Sequence, residues 1–203
     1  MTANILPSVL NKTHLTKGLQ SSSSLVQHCT ALMLSKCLIK LDNVLCTFRE
    51  ASRKLEEDGE TGQWSNRSRE LGVELEKRVP DFMVIVGMVQ QKHFLGPGEQ
   101  YPQTGLLTEA ALRLLWLYHK LFPRLVAEIR FDVGKLLLGV FVPKVGSTDS
   151  RDMDTDGFLI HQSQNGLHVL RQLHVIHLLI ESDQFAWSSK AGAYRRFTAL
   201  PYS

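Results

Sequence analysis

Apolar residues recur at three- and four-residue steps over most of this chain, the spacing that lines one face of a helix. The longest run covers residues 24–57, with Leu25, Val26, Cys29, Leu32, Met33, Cys37, Leu38, Leu41, Val44, Leu45 and Phe48 on the stripe. Leu34 and Ile39 fall off that stripe and widen it, so this helix is expected to pack on more than one side. Ser24 and Gln27 have the spacing of a capping box, which predicts the helix start. No Pro or Gly interrupts the run before Gly59.

The flanking segments read as further helices. Residues 4–17 predict a short one, with Ile5, Leu6, Val9, Leu10 and Leu15 on one side and Gly18 as its terminator. Residues 66–79 predict a weaker one on Leu71, Leu75 and Val79, with Glu74 and Arg78 spaced for a surface ion pair. Pro80 ends it and opens the next, which runs through Phe82, Val84, Ile85, Met88 and Val89. Residues 95–102 carry two Gly and two Pro and read as a loop. Thr108 is expected to cap a helix apolar nearly all round, with Glu109 in its first turn, where the dipole favours an anion. Pro123 breaks it, and 124–142 predict one helix or two short ones on Val133, Leu136, Leu137, Val140 and Phe141. Residues 142–164 read as a long polar connection. Residues 166–181 then predict an amphipathic helix on Leu167, Leu170, Leu173, Ile176, Leu178, Leu179 and Ile180. Residues 193–203 show no period.

No strand alternation persists, so the chain is expected to be all-α. Consecutive helices covered on two sides suggest stacked helical hairpins, an armadillo- or HEAT-like α-solenoid segment over residues 1–192 with a tail at 193–203. The absence of a clean sequence repeat keeps an irregular helical bundle as the alternative.

Composition narrows the picture only a little. A length of 203 residues suits one domain, and a net charge of +3 is too small to argue nucleic-acid binding. The three cysteines, Cys29, Cys37 and Cys46, stand eight or nine residues apart on one helix, too far for a disulfide, and are expected to be small buried hydrophobes. No secretory signal and no apolar run of membrane-spanning length is visible, which predicts an intracellular, soluble chain without membrane contact.

Candidate chemistry is sparse. Asp152, Asp154, Asp156 and Gly157 match the first half of an EF-hand loop, but Ser163 stands where a bidentate Glu belongs. A solvated acidic loop is the ordinary reading, and a metal-regulated protein using these aspartates is the rival one. His174 and His177 are helical neighbours that could share a metal, with His161 and His168 nearby, yet no acidic or Cys partner stands at a useful spacing. Arg195 and Arg196, between Tyr194 and Phe197, form a small basic-aromatic patch. No phosphate-binding loop, nucleophile elbow or kinase signature occurs, so no catalytic, cofactor or metal residue is assigned and no enzyme or small-molecule substrate is expected.

One longer pattern is more specific. Residues 15–45 combine a Lys17-Gly18-Leu19 step, a Ser linker, Leu25-Val26-Gln27-His28 and a Leu-rich helix ending in Lys40-Leu41-Asp42-Asn43-Val44-Leu45. This run resembles the N-terminal domain of the nucleolar pre-ribosomal-associated protein family, the ribosome-60S-biogenesis N-terminal domain. Arg78-Val79-Pro80-Asp81 before a helix, and residues 107–119, look like the same family. The resemblance implies a fragment or short isoform of a long helical-repeat scaffold. It implies a non-catalytic role in the nucleus and nucleolus, in large (60S) subunit biogenesis and pre-rRNA processing. The partners it implies are pre-60S assembly factors, with precursor rRNA within the particle. The rival reading is a generic α-solenoid adaptor for protein–protein interaction, unrelated to ribosomes.

Overall fold

The computed structural model describes residues 2–59, 61–90, 102–129 and 155–182, with side chains from residue 105 onward in the third segment and from 166 onward in the fourth. All regular structure among the described residues is α-helical. The helices are α1 (Thr2–Ile5), α2 (Lys12–Leu19), α3 (Ser24–Lys54), α4 (Gln63–Glu76), α5 (Phe82–Gln90), α6 (Pro102–Leu121), α7 (Pro123–Ala127) and α8 (Thr155–Glu181).

Two helices share the centre. α3 packs against α1, α2, α4 and α6, and α6 packs against α3, α5, α7 and α8. The sequence pattern centres on α3 and also marks α6 as apolar nearly all round, and α6 is the more enclosed of the two. Its Ala110, Leu114, Leu115 and Tyr118 are fully buried, facing a core that includes Leu34 and Leu41 of α3 and Ile85 of α5. Each of these leucine and isoleucine side chains contributes about 1.5–3 kcal/mol by leaving water. The Tyr118 hydroxyl, which a core position must satisfy, donates to the carbonyl of Pro80 at 3.0 Å.

Several boundaries differ from the expected ones for identifiable reasons. The first helix is two helices, because Pro7 cannot continue α1. Gly18 lies inside α2 rather than after it. A Cβ there would stand 2.8 Å from Thr30 Cγ2 of α3, so glycine allows α2 and α3 their close approach. α3 starts where expected, but Ser23 is its N-cap, with no side-chain cap bond, and Gln27 turns into the core instead of closing a capping box. At its other end α3 stops at Lys54. The amide of Glu57 donates to Ser52 O at 3.0 Å and that of Glu56 to Arg53 O at 3.3 Å, a Schellman closure with Glu56 at φ 51°. Glu57 then accepts from the amide of Trp64 at 3.0 Å, placing an anion at the start of α4. Arg78 does not pair with Glu74. Its guanidinium donates to the carbonyls of Leu6 and Pro7 at 2.9 and 3.1 Å, while Glu74 accepts from Thr2, so both groups tie the N-terminus to α4.

Two larger differences concern α6 and α8. α6 begins at Pro102, which leaves Thr108 and Glu109 in the helix interior instead of at its cap. α8 begins at Thr155, so 155–165 carry helical backbone where the pattern suggests a connection. The apolar stretch expected at 131–142 and the tail at 193–203 lie outside the described residues.

Candidate functional site

Among the described residues, the densest buried polar cluster lies where α8 packs on α6. Glu109 points inward from α6, only 3 % exposed. Its Oε1 accepts from Arg113 Nε at 2.9 Å, from Arg113 Nη2, and from His174 Nε2 of α8 at 2.8 Å. Burial alone would push the Glu109 carboxyl up. The hydrogen bond from His174 and the charge and hydrogen bonds of Arg113 outweigh it and hold the group below the usual carboxylate range. Arg171 of α8 stands close to the same carboxylate, and burial lowers its guanidinium against that opposing charge.

Aromatic packing extends the cluster along α6. The Trp116 ring lies 5.9 Å from His174, stacked at 21°, and 4.7 Å from His177. Lys120 Nζ lies 5.7 Å from the centroid of the same Trp116 ring and reaches Asp42 Oδ2 of α3 at 2.7 Å. Polar contacts therefore run from α8 across α6 to α3. Arg171 Nε, His174 Nδ1 and His177 Nδ1 are buried and find no hydrogen-bond partner among the described residues.

This arrangement gives an acid–base pair, and among the described residues no cysteine lies beside it. The cysteines are on α3, away from the pair: Cys29 and Cys46 are exposed, contrary to the expected burial, and Cys37 is half-buried. Burial pushes the Cys37 thiol up, with Lys40 opposing, which is the wrong direction for a reactive thiolate. Among the described residues no group of three or more His, Cys, Asp or Glu side chains is placed to hold a metal. The cluster can orient two helices and keep a carboxylate charged in the core. A cleft of about 270 Å³ opens elsewhere, between α3 and α4, lined by Phe48, Trp64, Arg49 and Arg69 with Ser65 and Ser68.

No protein-family model, curated protein or solved structure matches this chain.

The sequence-derived candidates are thus dispersed. Asp152 and Asp154, Arg195 and Arg196 lie outside the described residues. Asp156 and Gly157 fall in the first turn of α8, a helical backbone unlike the sharp turn at the sixth position of an EF-hand loop. The His161 side chain is likewise outside the described residues. His168 is exposed and 3.1 Å from Gln172 Nε2. His174 and His177 do share a neighbour, but it is Trp116, and the acidic partner of His174 is Glu109, 65 residues away in sequence. Local spacing cannot reveal that pairing. The one available signal is a Glu and an Arg at i,i+4 on a helix that is otherwise apolar all round, where a charge has no solvent to face. No helix among the described residues is long and apolar enough to cross a membrane.

Proposed function

We propose that this chain is a non-catalytic helical scaffold that acts in the nucleolus, in large (60S) ribosomal subunit biogenesis and pre-rRNA processing, by holding pre-60S assembly factors together near precursor rRNA. The observation that carries the scaffold part is the side-by-side packing of long helices. α4 lies on α3, α3 on α6 and α6 on α8, which gives an array with helix faces rather than a cleft as its working surface. The nucleolar part rests on the resemblance of residues 15–45 and 107–119 to the nucleolar pre-ribosomal-associated family.

The finer architecture follows the same reading. α3 with α4, and α6 with α8, form two stacked hairpins of an α-solenoid segment, with α3 against α6 as the joint between them. The short helices α1 and α2 pack on α3, and α5 packs on α6 and α2; they have no counterpart in a regular repeat, which favours the irregular bundle as the second architecture.

Tagging the chain in cells, imaging it against a nucleolar marker and identifying what co-purifies tests the proposal. Nucleolar signal with pre-60S factors and precursor rRNA supports it. Diffuse signal with coat, cargo or other non-ribosomal proteins replaces it with the general adaptor.

A further inference from the structure

The cleft between α3 and α4 is graded from floor to rim. Phe48 of α3 is buried and Trp64 of α4 half-buried, with ring centroids 5.3 Å apart and planes tilted at 43°. Ser65 and Ser68 stand beside them, half-buried, and Arg49 and Arg69 are exposed at the mouth. Positions 64, 65, 68 and 69 share one side of α4, so each helix supplies one aromatic ring and one guanidinium. Arg49 is loosely held, its Nη2 3.5 Å from Cys46 Sγ and 4.0 Å from Asp42 Oδ1, while Asp42 is engaged by Lys120 at 2.7 Å. Arg69 Nη1 donates to Asn66 Oδ1 at 3.2 Å, which steadies it on the wall. Glu57 and Asp58 turn their carboxylates to the Trp64 amide and the Thr61 hydroxyl, at 3.0 and 2.8 Å. Among the described residues the lining therefore carries two positive charges and no negative one.

We propose that this cleft takes one nucleotide of a single RNA strand, with its base against Trp64 and its phosphate at Arg49 and Arg69. An aromatic face receives any base by stacking, and guanidinium forks match phosphate oxygens. The volume of about 270 Å³ lies just below the roughly 300–1,000 Å³ of small-ligand pockets, room for one nucleotide and not several. The order of the lining decides between ligands that join a ring to a phosphate. A nucleotide enters base first and keeps its phosphate outside on the strand, which suits an aromatic floor under a cationic rim. A phosphotyrosine side chain enters phosphate first and needs its cations at the bottom, where Phe48 lies. Ser65 and Ser68 supply hydroxyls between floor and rim, and the 2′-hydroxyl of RNA gives them a partner that DNA lacks. The strand must be single, because a paired base stays in its own stack. This inference rests on the lining of the cleft and not on the nucleolar reading, and it goes beyond that reading by putting an RNA contact on the chain itself.

Fluorescence anisotropy of a labelled strand of about ten uridines, titrated with the full chain at about 50 mM salt, tests this. One base and one phosphate predict a dissociation constant on the order of 100 µM. Trp64→Phe keeps most of that affinity, and Trp64→Leu lowers it about tenfold. Arg49→Gln lowers it about fivefold and makes it less salt-dependent, with an unchanged melting temperature, since that side chain is 65 % exposed. The strand annealed to its complement binds at least about fivefold more weakly, and a thymidine DNA strand also binds more weakly. Absence of binding up to about 1 mM chain, an affinity indifferent to Arg49→Gln, or a duplex or DNA strand bound as tightly overturns the proposal. So does a phosphotyrosine peptide bound more tightly than the RNA, which would assign the cleft to phosphopeptides.

Discussion

His119 gives the fold a pH dependence that can be calculated. It lies on α6, 5 % exposed, with its ring edge-on to Phe82 at 5.5 Å, and its Nε2 is buried without a hydrogen-bond partner among the described residues. Burial disfavours the imidazolium and lowers the pKa to about 4. An unfolded chain returns it to roughly 6.5. The folded state therefore stays neutral while the unfolded state takes up a proton, so this stability is fully present above about pH 6.5 and is lost as pH falls towards 4. Between pH 7.5 and 4.5 the linkage amounts to about 2.5 kcal/mol. Urea unfolding of the wild type and of His119→Leu at several pH values in that window measures it. The difference between the two proteins should shift by about 2.5 kcal/mol in favour of the variant as pH falls, whatever its size at neutral pH. Two curves that run parallel across the window would refute the account of a neutral, buried imidazole.

Glu109→Leu should cost about 3 kcal/mol in urea unfolding, because it leaves Arg113, Arg171 and His174 facing one another without their carboxylate. Adding His174→Phe, which can stack on Trp116, should recover part of that loss, and strict additivity of the two changes would argue against the pair. Gly18→Ala should destabilise by about 1–3 kcal/mol through its clash with Thr30, and Thr30→Ala should relieve most of it in the same assay. Glu56→Gly should raise stability by about 0.5–1 kcal/mol, read as a higher melting temperature, because glycine accepts φ 51° without the steric cost that a glutamate bears there.

The hydrophobic period made the helices legible, and with them the core residues of α4, α5 and α6; in α3 it found Leu38, Leu41 and Phe48 but put Leu25, Val26, Cys29 and Met33 on the buried side, where the structure buries Gln27, Ala31, Leu34 and Ser35 instead. It did so because burial follows spacing along one helix. What spacing could not supply was which of two apolar faces is covered. In α8 the pattern points to Leu170, Leu173, Ile176 and Ile180 as well as Leu178, and the structure buries Leu178 while leaving the other four exposed. The choice is made by α6, whose Glu109 and Trp116 attract His174 and His177. The same limitation hid the site. Thr108 and Glu109 look like a cap and a dipole partner only if the helix begins beside them, and Pro102 starts it two turns earlier. Exposure of Cys29 and Cys46 has the same origin, since both lie on the side of α3 that its neighbours do not reach.

The polar cluster also explains why α8 is turned as it is. An apolar helix lying on an apolar helix can slide or roll at little cost, because Leu and Ile side chains substitute for one another along the groove. A slip of one turn, about 5.4 Å, would pull His174 from Glu109 and leave a buried carboxylate with fewer donors. Arg113, on the same helix as Glu109, keeps its hold, so the slip costs the one hydrogen bond from His174 to the charged acceptor, about 1.5–3 kcal/mol. The hydrogen bond to the carboxylate thus fixes register and rotation together, whereas burial of Val175 and Leu178 supplies most of the adhesion. Once α8 is fixed in that rotation, Val169, Leu173, Ile176 and Ile180 face outward, so a polar contact on one side of the helix decides which apolar residues the other side leaves exposed.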